Sequence, residues 1–430
     1  MRPSKKIVFG VALLTQLGAL GLQAQQGKQA PRFEVDPLWP KPLPNHWILG
    51  PAVGVAVDAQ DQVYVVHINN NCSAGLQAGV NCAFVTRTET GATENPPIGE
   101  CCLPAPNVLV FDAAGTLLRN WGPGQGYTWP VVNHGITVDP KRNVWIGGSG
   151  GTDSHLLRFS ADGKFQAMIG TVGTAPAALA RGRAAGDTTY AGASGAGRGG
   201  RGGRGGGGQP ALPPNSVSRE TFGGPTRVAC DATECFVADG VRNHRVAVID
   251  PNTGAIKRFW GAYGEAPSDA PQPDYDPNAQ PARQFGVVSC AEPSRDGLVY
   301  VCDRTNNRIQ VFRKDGTFVK EKVIAPKTKG NGSVWDVAFS ADAQQRFLYV
   351  ADGTNMKVRI LDRQSLDELT TFGSGGRYPG QFSSVHSIAT DSQGNVYTSE
   401  SGQGKRVQKF LFKGVVPVTS QNSGVRPGEK

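Results

Sequence analysis

The chain has 430 residues, a formal charge of +9 and 39% hydrophobic residues, with 57 Gly, 30 Pro and only 3 Met. Such a length allows one large domain or two ordinary ones, and the Gly and Pro content favours many short strands and turns over long helices. The charge does not imply a nucleic-acid partner, because part of it sits in the N-terminal segment and part in one low-complexity insert. In chain order, Arg2, Lys5 and Lys6 precede an apolar run from Ile7 to Leu22, and "LQA" offers a small-residue cleavage site after Ala24. Residues 1–24 therefore read as a secretory signal. The run is interrupted by Thr15 and Gln16 and falls short of the ~20 apolar residues of a membrane span. The expected destination is the periplasm or the extracellular space, with no transmembrane segment after cleavage.

Next comes "RFEVD", residues 32–36, which alternates like a strand, and then a unit that recurs six times. The copies begin at "VGVAVDAQDQVYVVH", "HGITVDPKRNVWIGG", "TRVACDATECFVADG", "SCAEPSRDGLVYVCD", "VWDVAFSADAQQRFLYVADG" and "HSIATDSQGNVYTSE". Each continues into a "VQVF"-type segment, a polar turn and a fourth short strand often closed by Trp-Gly or Phe-Gly. Four period-2 strands with Gly, Asn or Asp turns, repeated six times, predict an all-β fold: a six-bladed β-propeller over residues 33–415. Ring closure needs a tie between the last blade and the first, and residues 32–36 are expected to supply it as the outer strand of the sixth blade. Residues 68–107 form a Cys-rich insert in the first blade, and residues 171–222 a Gly/Arg-rich flexible insert between the second and third blades. Its "GRGGRGGRGGGG" lacks the interleaved aromatics of RNA-binding segments, so no specific nucleic acid is expected. A Pro-rich loop spans 266–282, and 416–430 is a C-terminal tail.

Eight cysteines agree with an oxidising compartment. Cys230 and Cys235 flank a turn, as do Cys290 and Cys302, so each pair is expected to bridge one hairpin. Cys72, Cys82, Cys101 and Cys102 crowd the first-blade insert, where three pairings are open.

In a propeller the first strand of each blade lines the central channel, so a ligand at the channel mouth meets residues from several blades. His134 and His386 open the inner strands of the second and sixth blades at equivalent places, "HGITVD" and "HSIATD". The equivalent place in the fourth blade is Ser289, or Val288 if the register slips by one, and neither is a strong zinc ligand. His67 closes the second strand of the first blade and can face the same mouth; His155 and His244 are expected on surface turns. Asp336 is a candidate carboxylate for a calcium-dependent, lactonase-like site, without an evident partner.

The segments "DGVRNHRVAVID", "DRTNNRIQVF" and "GNVYTSESGQGKRVQKF" resemble NHL repeats, which form six-bladed propellers. Together, "NHGITVD", "VADGVRNHRV", "VCDRTNNRIQVF" and "SVHSIATD" resemble the peptidyl-α-hydroxyglycine lyase domain of peptidylglycine α-amidating enzymes. That resemblance implies three channel histidines on zinc, a structural calcium deeper in the channel, and C–N cleavage that yields a peptide amide and glyoxylate. Residue by residue it makes His134 and His386 metal ligands and retains Arg304 as the candidate catalytic residue. It places Ser289 at the third ligand, Val241 at the assisting Tyr, Ile68 at an Arg and Ser387 at a calcium-binding Asp. These departures lead to an expected exported scaffold, a monomer that binds a peptide, glycan or protein ligand at a degenerate metal site. A zinc-dependent lyase is the alternative.

Overall fold

The computed structural model describes residues 28–69, 92, 96–173 and 211–418. The signal segment 1–24, Cys72, Cys82 and the Arg-Gly run lie outside them. The protein is a six-bladed β-propeller, each blade a four-stranded antiparallel sheet. The inner strands are Ala52–Val57, Asn133–Val138, Arg227–Cys230, Val288–Pro293, Asp336–Phe339 and Val385–Thr390, for blades 1 to 6 in that order. Gln29–Asp36 pairs antiparallel with Arg406–Pro417 as the outer strand of blade 6, with Val35 opposite Phe410 and Phe33 opposite Phe412. The alternation of "RFEVD" thus marks the closing strand, which begins slightly earlier than those residues. Phe33 is buried against Tyr349, Phe372 and Phe412, and so ties blade 6 to blade 5.

The core is distributed around the ring. Six apolar clusters occur among the described residues, one at each junction between neighbouring blades. At the junction of blades 1 and 2, for example, Tyr64, Val66 and Val110 pack on Ile136, Ile146 and Phe159. Each sheet is buried on both faces, which explains why its strands are apolar almost throughout.

Two polar devices recur. In blades 1, 2 and 6 an aspartate ends the inner strand, and its carboxylate accepts backbone N–H groups two and four residues on. The same carboxylates accept Tyr64 Oη (Asp58), Trp145 Nε1 (Asp139) and Tyr397 Oη (Asp391) from the second strand. This Asx-type turn gives "VDAQDQVY", "VDPKRNVW" and "TDSQGNVY" their shared spacing. At the opposite end, in blades 3 to 6, an acid closing the second strand holds an Arg at or near the start of the third. Asp239–Arg245 is 2.8 Å, and Asp303–Arg308 and Asp352–Arg359 are each 2.7 Å; Glu400–Arg406 repeats the pattern. The Asp and Arg of "CDRTNNR" are therefore a cross-strand tie in which Arg308, not Arg304, is the partner of Asp303.

Cys230–Cys235 and Cys290–Cys302 bridge their hairpins as expected, and Cys101 pairs with its neighbour Cys102. Disulfides fit an oxidising compartment. No helix among the described residues is long and apolar enough to cross a membrane.

The two faces of the ring differ. Where the inner strands end, the chain reverses in tight turns such as Asp58–Gln62, Asp139–Asn143 and Asp391–Asn395. Where the inner strands begin, the long connections emerge: 69–102, 171–226 and 261–287. The mouth that holds His134 and His386 is on this second face.

Candidate functional site

The mouth owes its shape to backbone irregularity. In blades 1, 2, 4 and 6 the inner strand carries an extra, unpaired residue near its start: Val53, Gly135, Ser289 and His386. Such bulges re-aim side chains. Gly135 is obligatory at its bulge, because a Cβ there would lie 2.4 Å from the Thr226 carbonyl oxygen of blade 3. That carbonyl accepts the Nδ1–H of His134 at 3.0 Å, an assignment that leaves the His134 Nε2 lone pair free.

His134 and His386, from blades 2 and 6, meet edge to face with ring centroids 4.7 Å apart. Trp335, just before the inner strand of blade 5, packs edge-on against His386 at 5.4 Å. Arg304 of blade 4 lays its guanidinium over the Trp335 ring, 3.6 Å from the centroid. Its Nε donates to the Asn331 carbonyl at 2.8 Å, and no carboxylate among the described residues pairs with it. His386 is buried, and neither of its ring nitrogens has a hydrogen-bond partner among the described residues.

The charges follow from burial. Burial, opposed by the Thr226 hydrogen bond and assisted by Arg304 and Arg227, draws His134 down to about 4. Burial, His134 and Arg304 hold His386 well below the usual histidine range, against an opposing influence of the Val53 backbone. Burial alone pulls Arg304 down to about 9. At neutral pH the mouth therefore holds two neutral imidazoles beside one guanidinium with no opposing charge among the described residues.

The other residues singled out by sequence fall elsewhere. His67 is buried, and both nitrogens serve the backbone: Nδ1 accepts Gly50 N–H at 3.1 Å and Nε2 donates to the Pro106 carbonyl at 2.8 Å. Burial draws it down to about 4. His155 is not on a surface turn. It opens the third strand of blade 2, is 1% exposed and donates to the Thr128 carbonyl, because that edge is covered by the connection from blade 1. His244 does sit on a turn, half-buried, with φ of 51°. The Ser289 hydroxyl donates to the Val334 carbonyl at 3.2 Å.

Deeper in the channel lies a network that periodicity does not reveal. Arg227 of blade 3 donates from Nε to Glu292 of blade 4 at 2.7 Å. Its Nη1 reaches Asp336 of blade 5 and Ser387 of blade 6, each at 2.9 Å. Ser387 Oγ donates to Asp336 at 2.7 Å and accepts Val55 N–H at 3.3 Å. One guanidinium thus joins four blades, and the serine reaches a fifth. Burial raises Glu292 and Asp336 while Arg227 draws both down; burial likewise opposes the charge of Arg227, and the two carboxylates raise it. Asp336 has carboxylate company after all, in Glu292. The signal was available in "TRVACD" and "SCAEPS": a charged residue on an otherwise apolar inner strand.

Zinc takes three or four His, Cys or carboxylate donors. No group of three or more such side chains converges among the described residues, and Arg304 and Arg227 add positive charge near the two imidazoles. Calcium takes six to eight oxygens, but Glu292 and Asp336 are already held by Arg227. The described residues alone fit neither ion.

No protein-family model and no curated protein matches the chain. Among solved structures it is similar to a structural genomics protein of unknown function from Bacteroides thetaiotaomicron, with TM-score 0.48 and 12% identity over 90% of this chain and 77% of that one. It is also similar to a chain of a mitotic checkpoint complex, with TM-score 0.41 and 8% identity over 98% and 90% of the two chains.

Proposed function

We propose that this propeller is an exported binding scaffold whose ligand presents a carboxylate to Arg304 at the loop-bearing mouth. The observation that carries the reading is the state of Arg304, buried and stacked on Trp335 without a carboxylate partner among the described residues. Burying an uncompensated charge is costly, and a ligand anion removes the cost through charge-assisted, bidentate hydrogen bonds. The neutral imidazoles add hydrogen-bonding capacity, and Trp335 adds contact area for a peptide or a glycan. Isothermal titration with hippurate (a peptide-like carboxylate), glucuronate (an acidic sugar) and hippuramide tests it. Binding of one carboxylate but not of the amide, abolished by Arg304→Met, is the expected result and identifies the source. Binding of neither carboxylate would overturn the reading.

A second reading, a zinc-dependent lyase of the amidating type, draws support from the His134–His386 contact and requires a third donor from outside the described residues. Metal analysis of untagged protein decides it. One zinc per chain, lost in His134→Ala and His386→Ala, would replace the scaffold reading with this one; its absence would remove the lyase.

A further inference from the structure

We infer that Arg227 is the resident cation of the channel and stands in for the divalent ion that the lyase resemblance implies there. Three observations converge. Ser387, the residue which that resemblance makes a calcium-binding aspartate, carries a hydroxyl, 2.9 Å from Arg227 Nη1. The carboxylates of Glu292 and Asp336, on neighbouring inner strands, both face the same guanidinium, at 2.7 and 2.9 Å. Arg227 itself is 8% exposed, so this is an interior charge held in a fixed fork.

The exchange alters what holds the ring together. A divalent ion would make stability depend on its concentration. A guanidinium covalently part of blade 3 provides the same bridging at any calcium level. It also links blade 3 to blades 4, 5 and 6. The mouth with His134 and His386 lies on one side of the network. On the other lies a cavity of about 470 Å³, lined among others by Thr137, Arg227, Glu292 and Thr390.

Thermal unfolding of the full chain tests this without reference to any activity. The wild type is expected to melt at the same temperature in EDTA and in about 5 mM calcium chloride, a concentration that saturates weak extracellular calcium sites. Arg227→Ala vacates the space between the two carboxylates. It should melt well below the wild type in EDTA and recover part of the loss in calcium, whereas Arg227→Met, which fills the space, should not recover. Should the single variants fail to fold, the uncharged triple variant Arg227→Met, Glu292→Gln, Asp336→Asn should still fold, because it leaves no buried charge unpaired. A calcium-dependent melting temperature in the wild type would overturn the inference. So would an Arg227→Ala variant that is as stable as wild type or indifferent to calcium, or a triple variant that fails along with the single ones.

Discussion

Replacing Arg304 by Met should stabilise the ligand-free protein. Burial pulls Arg304 from 12.5 to about 9, and at 1.36 kcal/mol per pKa unit this opposes the folded state by about 5 kcal/mol. Stacking on Trp335 returns about 2 kcal/mol at a desolvated site. Met keeps an unbranched stem against the indole but leaves the Asn331 carbonyl without its donor, a loss of about 1 kcal/mol. The balance is a gain of about 1–3 kcal/mol, or a rise in Tm of roughly 1–4 °C for a ring of this size. Exhaustively dialysed wild type and variant are compared by calorimetry and by urea unfolding at pH 7.5, since a large ring need not unfold in two states. Natural proteins give up stability at binding sites, and a stabilising change that removes ligand binding is the signature of such a site. A variant less stable than wild type by more than about 1 kcal/mol would mean that the guanidinium is structural, and the anion argument would fall.

Other outcomes follow from the same structure. His134 titrates near 6.5 unfolded and about 4 folded, so the unfolded chain binds the extra proton between these values and stability falls as pH drops through that window. At pH 5 this histidine lowers stability by about 2 kcal/mol, and His134→Asn, whose amide can keep the Thr226 bond, should flatten the pH dependence by that amount in urea titrations at pH 7.5 and 5. Phe33→Ala should lower stability by about 3–5 kcal/mol, because a buried aromatic at the ring closure is lost; a melting curve close to wild type would deny residues 29–36 their closing role. Asp303→Asn leaves the buried Arg308 guanidinium only its longer carboxylate contact, with Glu321 at 3.3 Å, and should lower stability by about 3 kcal/mol, measured by denaturant midpoint. Gly135→Ala should be destabilised in thermal melts, with perturbed histidine NMR resonances at the mouth, because its methyl would press on the Thr226 carbonyl.

The propeller was legible because its information is local. Period-2 alternation and the Asp turns repeat within each blade, and cysteines across a turn come out directly opposite each other, as Cys230 and Cys235 do. The mouth was half legible. Repeat register placed His134 and His386 at equivalent positions, and the two rings do meet. What escaped depends on contacts between blades, which have no period along the chain. Trp335, Thr226, Arg227 and Glu292 lie on or just before the inner strands of three blades and acquire partners only when the ring closes. His155 was misplaced because a polar residue at a strand start looks alike whether solvent or a neighbouring connection covers it. His67 is tied to the backbone groups of Gly50 and Pro106, which leave no trace in a side-chain pattern.

The pairing of residues 29–36 with 406–417 also sets an order of events in time. A chain made from its N-terminus presents the closing strand first and must wait for the strand that receives it until nearly everything else has been made. Blades 1 to 5 can stack as they emerge, but the ring stays open, with one unpaired edge at each end of the stack. Closing so long a loop is slow. The ring is complete only once residues 29–36 meet residues 406–417, and any agent that captures either strand before then would hold the protein as an unfinished arc.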